Sequence, residues 1–271
     1  MTSEEVWATL AAISRGAAAQ PLAVSAVVAH PDDEVISAGI LLRRVQQYGG
    51  TIDLVHVTDG APRNGRDAEQ QGFSTRQAYA AGRRTELQRA LSALDLSPRE
   101  QIAFNVTDQE ASLQMDVLAR RLAQTFATLR PDVILTHPFE GGHPDHDATA
   151  CAVHTALAHA GSARPPLLVE FTSYHRGPAG MRVGSFLPGI GVEAETLLLT
   201  EDERTLKRRA LSCFTSQAAI VAWFPIDAER FRPAPRYDFF SPPYEGRPLY
   251  EDFDWGMNQQ RWRELVRRLQ A

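Results

Sequence analysis

Leu22-Ala23-Val24-Ser25-Ala26-Val27-Val28-Ala29 runs directly into His30-Pro31-Asp32-Asp33-Glu34, and this junction decides how the chain is read. A short apolar run, rich in valine and stopped by a polar turn, reads as a strand buried on both faces. Behind it, Asp33 to Tyr48 has helical periodicity in Val35, Ile36, Ile40, Leu41 and Val45, closed by Gly49-Gly50. A strand that passes straight into a helix is the first half of a βαβ unit. The pattern then repeats: strands at Ile52–Val57, Ile102–Val106 and Asp132–Thr136, with helices at Ser74–Leu94, Ser112–Leu129 and Asp145–Ala160. Strict alternation predicts an α/β fold, a Rossmann-like, doubly wound and mostly parallel sheet with helices on both faces.

The second half is less regular. Pro166–Tyr174 and Glu195–Leu199 read as strands, Glu201–Phe214 as a helix and Gln259–Leu269 as a last helix. Between Trp223 and Trp255 the chain is rich in proline and aromatic residues, which cannot sustain a long helix yet is too aromatic for a linker. This irregular segment is expected to meander over the core, or else to form a pocket wall or a subunit contact. The organisation expected is one α/β domain over 1–271, with 22–217 as its core and 218–271 as a C-terminal extension packed on it.

Composition excludes several classes. With 271 residues and a formal net charge of −5, the chain can bury a full core and has no basic footprint for nucleic acid. Lys207 is the only lysine, so Schiff-base chemistry is closed unless Lys207 carries it. Cys151 and Cys213 fit no metal or redox spacing and read as reduced thiols. The acidic start, Met1-Thr2-Ser3-Glu4-Glu5, is unlike a signal peptide, and Ser3–Arg15 reads as an amphipathic helix with no stable membrane insertion. A cytoplasmic protein is expected, and a homo-oligomer is allowed.

A second string, Gly142-His143-Pro144-Asp145-His146-Asp147, follows the Asp132–Thr136 strand. Right-handed crossovers place the first and fourth strands side by side, and ligands of such sheets bind at the carboxyl ends of those strands. Proline followed by carboxylates is an ordinary helix start. That reading leaves unexplained why His30, His143 and His146 stand beside aspartates in two equivalent loops. Two imidazoles and one carboxylate are a common ligand set for catalytic zinc, with a further position left for water. His30 and Asp33 can chelate together and His146 can arrive from the neighbouring strand. Asp32 is then free as general base, and His143 to serve the oxyanion or the leaving group. The same set also serves Fe2+ or Co2+. The chemistry predicted is attack of metal-bound hydroxide on an amide or ester carbonyl.

Ala29-His30-Pro31-Asp32-Asp33-Glu34 together with His143-Pro144-Asp145-His146 resembles the GlcNAc-phosphatidylinositol de-N-acetylase (PIG-L, or LmbE-like) family of zinc-dependent deacetylases. The resemblance covers roughly Leu22 to Gln217 and takes in Thr58-Asp59-Gly60, Arg83-Arg84-Thr85-Glu86-Leu87 and Asp108. It implies His30, Asp33 and His146 as zinc ligands, Asp32 as base and His143 as electrostatic or acid partner. It also implies Arg63, Arg83 and Asp108 as substrate contacts, although ordinary ion pairs explain each equally well. The mycothiol-type members carry a tyrosine two residues before the second motif's first histidine, where this chain has Gly141. The function implied is hydrolysis of the N-acetyl group from an N-acetylglucosamine-type sugar conjugate, a small-molecule glycoconjugate, by zinc-bound water. The alternatives are an amidase for a bulkier acyl group, or a metal-containing sugar binder without turnover. A dinucleotide enzyme is disfavoured, because no glycine-rich turn follows the first strand.

Overall fold

Strand β1 (Ala23–Val28) lies inside a seven-stranded sheet in a computed structural model that describes residues 1–17, 19–159, 164–189 and 193–270. Its neighbours are β2 (Thr51–Pro62) and β4 (Val133–Thr136), both parallel, with Val24 opposite Ile52 on one side and Val133 on the other. Beyond them stand β3 (Glu100–Asp108) at one edge and β5 (Leu167–Phe171) towards the other. The first and fourth strands are therefore adjacent, as the crossover rules require.

The crossovers explain the two-faced core. Period-two alternation sends Val24, Ala26 and Val28 to one face and Val27 to the other. The first face is covered by α1 (Ser3–Ser14), α2 (Asp33–Gln47) and α4 (Arg76–Ala93), and the second by α5 (Met115–Leu129) and α6 (Pro144–His159). Thr2 starts α1 with a reciprocal capping box to Glu5. Helix α7 (Glu201–Leu211) joins the first face, and α9 (Gln259–Gln270) sets Trp262 and Val266 into the second.

Three differences from the sequence reading matter for the site. First, β2 does not stop at Val57. Thr58 donates to the Ala29 carbonyl through both its amide and its hydroxyl, each at 2.8 Å, so Thr58-Asp59-Gly60 stays in the sheet. The loop that follows contains a short helix, α3 (Arg66–Gln70). Second, Pro166–Tyr174 is not one strand. It breaks at Thr172-Ser173 and turns into a hairpin of β6 (Tyr174–Gly177) and β7 (Gly180–Val183).

Third, the aromatic tail is threaded into the sheet and not simply laid over it. Strand β9 (Ala228–Pro233) pairs antiparallel with β5 on one side and with β8 (Glu195–Leu198) on the other. Its charged residues are accommodated by buried pairing. Glu229 accepts from Lys207 Nζ at 2.6 Å and from the backbone amides of Ile40 and Leu41 in α2, and Arg232 Nε meets Glu170 at 3.1 Å. The only lysine is thus a fully buried tie between α7, β9 and α2. Between α7 and β9 the chain passes through α8 (Ala218–Val221).

Candidate active site

Both strings sit at the carboxyl ends of β1 and β4, where the first turns of α2 and α6 begin. His30 Nδ1 lies 3.2 Å from Asp33 Oδ2 and 3.3 Å from His146 Nε2, and His146 Nε2 lies 3.4 Å from Asp33 Oδ1. The edges of a tetrahedron around zinc, with ligand bonds of about 2.0–2.1 Å, are about 3.3–3.4 Å. His30 Nδ1 and His146 Nε2 face each other at that spacing and each faces a different oxygen of the Asp33 carboxylate, a buried set of donors that could hold one metal ion. The outer nitrogens are also held. His30 Nε2 is 3.1 Å from Asp108 Oδ1, and His146 Nδ1 is 3.2 Å from Ser173 Oγ, the second contacts that fix a ligand's ring and tautomer.

Electrostatics follow from this crowding. Burial alone would push the His30 imidazole down, but Asp108 and Asp33 outweigh it and lift it well above the usual range. Burial opposes ionisation of Asp33, yet His146, His137 and His30 hold its carboxyl well below the usual carboxylate range. His143 is driven well below the ordinary imidazole value by burial, then by His30 and His146. It is a neutral ring at physiological pH. Its Nδ1 accepts the Asp145 amide at 3.1 Å, so the proton sits on Nε2. A neutral Nε2–H in the pocket is a hydrogen-bond donor, which suits an oxyanion better than it suits acid catalysis.

Asp32 caps α2 without a side-chain bond to the helix, leaving its carboxylate for the pocket. Its Oδ2 receives Arg83 Nη2 at 2.6 Å, and Arg83 Nη1 donates to the Gly60 carbonyl at the same distance. Gly60 has φ +67°, and a Cβ there would stand 2.4 Å from Arg83 Nη1, so the glycine makes room for the guanidinium. Burial raises the Asp32 carboxyl and Arg83 partly offsets that.

The other residues singled out in the sequence are placed as follows. Asp108 lines the pocket and touches His30, while Arg83 lines it and holds Asp32. Arg63 is exposed, lies outside the pocket lining and pairs with Glu110 at 2.7 Å. Glu34 turns away from the ligands and binds His56 Nε2 at 2.7 Å. Asp145 and Asp147 shape loops: Asp145 accepts the amides of Gln109 and Ala111, Asp147 those of Glu140 and Gly141.

Two residues escaped the sequence reading. His137 stacks on His146 with ring centroids 4.0 Å apart, lies 3.3 Å from Asp33 Oδ2 and accepts the Ala29 amide. Its signal was visible, since Thr136-His137-Pro138 repeats at the end of β4 the His-Pro that ends β1. Tyr174 lines the pocket with its ring 5.4 Å from His146. No local pattern marks it; the chain approaches so closely there that a Cβ on Gly142 would be 2.0 Å from the Tyr174 carbonyl oxygen.

Fold and site together define a doubly wound α/β protein with a buried His/Asp cluster that could hold a metal ion at its topological switch point. Residues 25–157 match the family model GlcNAc-PI de-N-acetylase (PIG-L). Among curated proteins, the chain is 30% identical over 167 residues to a 1D-myo-inositol 2-acetamido-2-deoxy-alpha-D-glucopyranoside deacetylase of Corynebacterium jeikeium, covering 50% of each. It is 29% identical over 136 residues to a probable N-acetyl-alpha-D-glucosaminyl L-malate deacetylase 2 of Bacillus cereus, covering 50% of this chain and 60% of that one. The chain therefore spans only about half the length of these relatives. The fold is shared with the A40926 pseudoaglycone deacetylase Dbv21, at TM-score 0.59 and 20% identity over 79% of this chain and 97% of that one. The zinc-inhibited form of teicoplanin deacetylase Orf2 is similarly related, with TM-score 0.59 and 18% identity over 79% and 98%.

Proposed function

We propose that the chain is a metal-dependent N-deacetylase that releases acetate from an N-acetylglucosamine-type sugar conjugate. The observation that carries this reading is the close approach of His30 and His146 to each other and to the two oxygens of Asp33, with Asp32 and His143 lining the same pocket. Zinc bound by these three residues would polarise the amide carbonyl and lower the pKa of a water to about 7. Asp32, held in place by Arg83, would accept the proton of the attacking water at its carboxylate. His143 Nε2–H donates to the carbonyl oxygen as negative charge develops there. Asp108 and Ser173 keep the ligand imidazoles in the required tautomers. The aminosugar class is supported by the printed activities of the Corynebacterium and Bacillus relatives. Among the described residues no helix is long and apolar enough to cross a membrane.

Acetate release by zinc-loaded protein should be measured across free and conjugated N-acetylglucosaminides, with Asp32→Asn in parallel and bound metal determined by elemental analysis. The reading requires release from at least one conjugate, and an Asp32→Asn protein that retains metal but loses at least about 100-fold in rate, the scale of general-base catalysis. Equal rates in the two proteins would refute it.

A further inference from the structure

The pocket lining has two chemically different components, and the second is built outside the family-matched stretch. The charged residues are Asp32, Asp33, Asp67, Asp108 and Arg83. The aromatic residues and methionine are Tyr174, Met181, Trp223, Phe224, Phe253 and Trp255, all beyond residue 157. The aromatic component is organised. Phe253 and Trp255 stack with centroids 4.3 Å apart and planes 12° apart, and Trp255 rests 4.4 Å from the His143 ring. Tyr174, flanked by Phe224 at 6.2 Å, presses on His146. The inner rings thus crowd the space beside the ligands, where the hydrolysed acyl group must sit. The outer rings are open: Trp223 is 45% and Phe253 40% exposed, so two aromatic faces meet solvent at the mouth.

Size and charge narrow what those faces receive. The cavity is about 170 Å3, below the roughly 300–1,000 Å3 usual for small-molecule sites, so it takes in only the reacting part of a conjugate. The rest must lie on the rim. Four carboxylates line the pocket against one arginine, and Arg83 is already committed to Asp32 and Gly60. Arg66, next in sequence to the lining residue Asp67, is paired with Asp254, and Arg63 with Glu110. An anionic appendage would find no free partner among these groups.

We propose that the substrate is an uncharged N-acetylaminosugar glycoside whose aglycone is apolar, aryl or alkyl, and that Trp223 and Phe253 are the specificity-determining platform for it. This rests on the deacetylase reading above. Aromatic faces at the mouth take up apolar surface that would otherwise stay in water, so binding improves with the size of the aglycone.

The test compares methyl, octyl, phenyl and carboxylated N-acetylglucosaminides, with N-octanoylglucosamine as the arm that moves the apolar group to the acyl side. Zinc-loaded wild type, Trp223→Ala and Phe253→Ala are assayed for hydrolysis. Affinity is read independently by calorimetry, with Asp32→Asn as the binding partner and Asp32→Asn carrying each rim substitution beside it. Octyl and phenyl glycosides should exceed the methyl glycoside by at least about tenfold in kcat/KM and in affinity, and that ratio should collapse towards one in both rim variants. Both rings are exposed, and unchanged thermal midpoints will exclude a folding defect. Equal affinity for methyl and octyl glycosides, or preference for the carboxylated one or for N-octanoylglucosamine, would overturn the inference. Selective binding of octyl glycoside that depends on Trp223 and Phe253, with no acetate released from any substrate, would uphold the platform while refuting the deacetylase reading.

Discussion

Replacing Arg83 by methionine keeps the aliphatic stem but removes the guanidinium that joins Asp32 to the Gly60 carbonyl. Both charged side chains are nearly inaccessible, 5% for Arg83 and 6% for Asp32, so the substitution strands a carboxylate in a buried setting. Breaking a buried pair by deleting one partner costs about 3–5 kcal/mol, and leaving the Gly60 carbonyl unpaired adds to that. The pocket admits water, which places the expected loss at the lower end, about 3 kcal/mol. For a chain of this size each kcal/mol moves the thermal midpoint by about 2–4 °C, so a drop of about 6–12 °C is expected. Asp32→Asn/Arg83→Met removes both charges together and should recover about 2 kcal/mol relative to the sum of the single variants. Urea unfolding of the four metal-free proteins at pH 7 measures the cycle. An Arg83→Met loss below 1 kcal/mol, or strict additivity of the two substitutions, would show that the pair does not hold Asp32 in place.

Two further outcomes follow from buried groups. Burial pushes the Glu140 carboxyl up to about 8, despite the Leu187 amide at 2.6 Å and Arg232 at 3.8 Å, and its Oε2 has no partner. A carboxyl raised in the folded state contributes stability that is present below about pH 4.5 and lost as pH rises through about 8. Glu140→Gln keeps the acceptor for Leu187, so its stability relative to wild type should improve between pH 5 and 8.5, by about 5 kcal/mol at most; parallel pH profiles would refute this. Chelation should lower the thermal midpoint relative to zinc-loaded protein. Free zinc at 100 times its dissociation constant stabilises by about 2.7 kcal/mol, or about 5–10 °C here. Asp33→Ala should abolish the difference, and a zinc-dependent shift that survives in that variant would remove Asp33 from the ligand set.

How far the sequence could be read depends on where each residue's partner lies. The β1–β4 adjacency and the meeting of the two strings were legible because local hydrophobic runs set the strands and crossover handedness set their order. His30, Asp32 and Asp33 lie on one turn, and His143 and His146 on another, so each half of the centre is local. Strand β9 was not legible. Glu229 and Arg232 interrupt any apolar period, and what makes them tolerable inside a sheet, Lys207 and Glu170, is 22 and 62 residues away. Pattern reading assigns such a segment to the surface because it sees the charge without the counter-charge. The rim escaped for a related reason. Trp223, Phe253 and Trp255 share no helical or strand repeat, and they meet Tyr174 from opposite sides of β9 in the chain: Trp223 precedes β9, which runs antiparallel to β5 and away from the carboxyl ends of β1 and β4, and Phe253 and Trp255 belong to the segment that returns after it. The proposed ligands and base are therefore set by local turns at the ends of β1 and β4, whereas the surface that would select the aglycone depends on long-range charge pairing. It follows that a substitution in the Lys207–Glu229 tie, although remote from the metal ligands, should disturb substrate preference more readily than metal affinity.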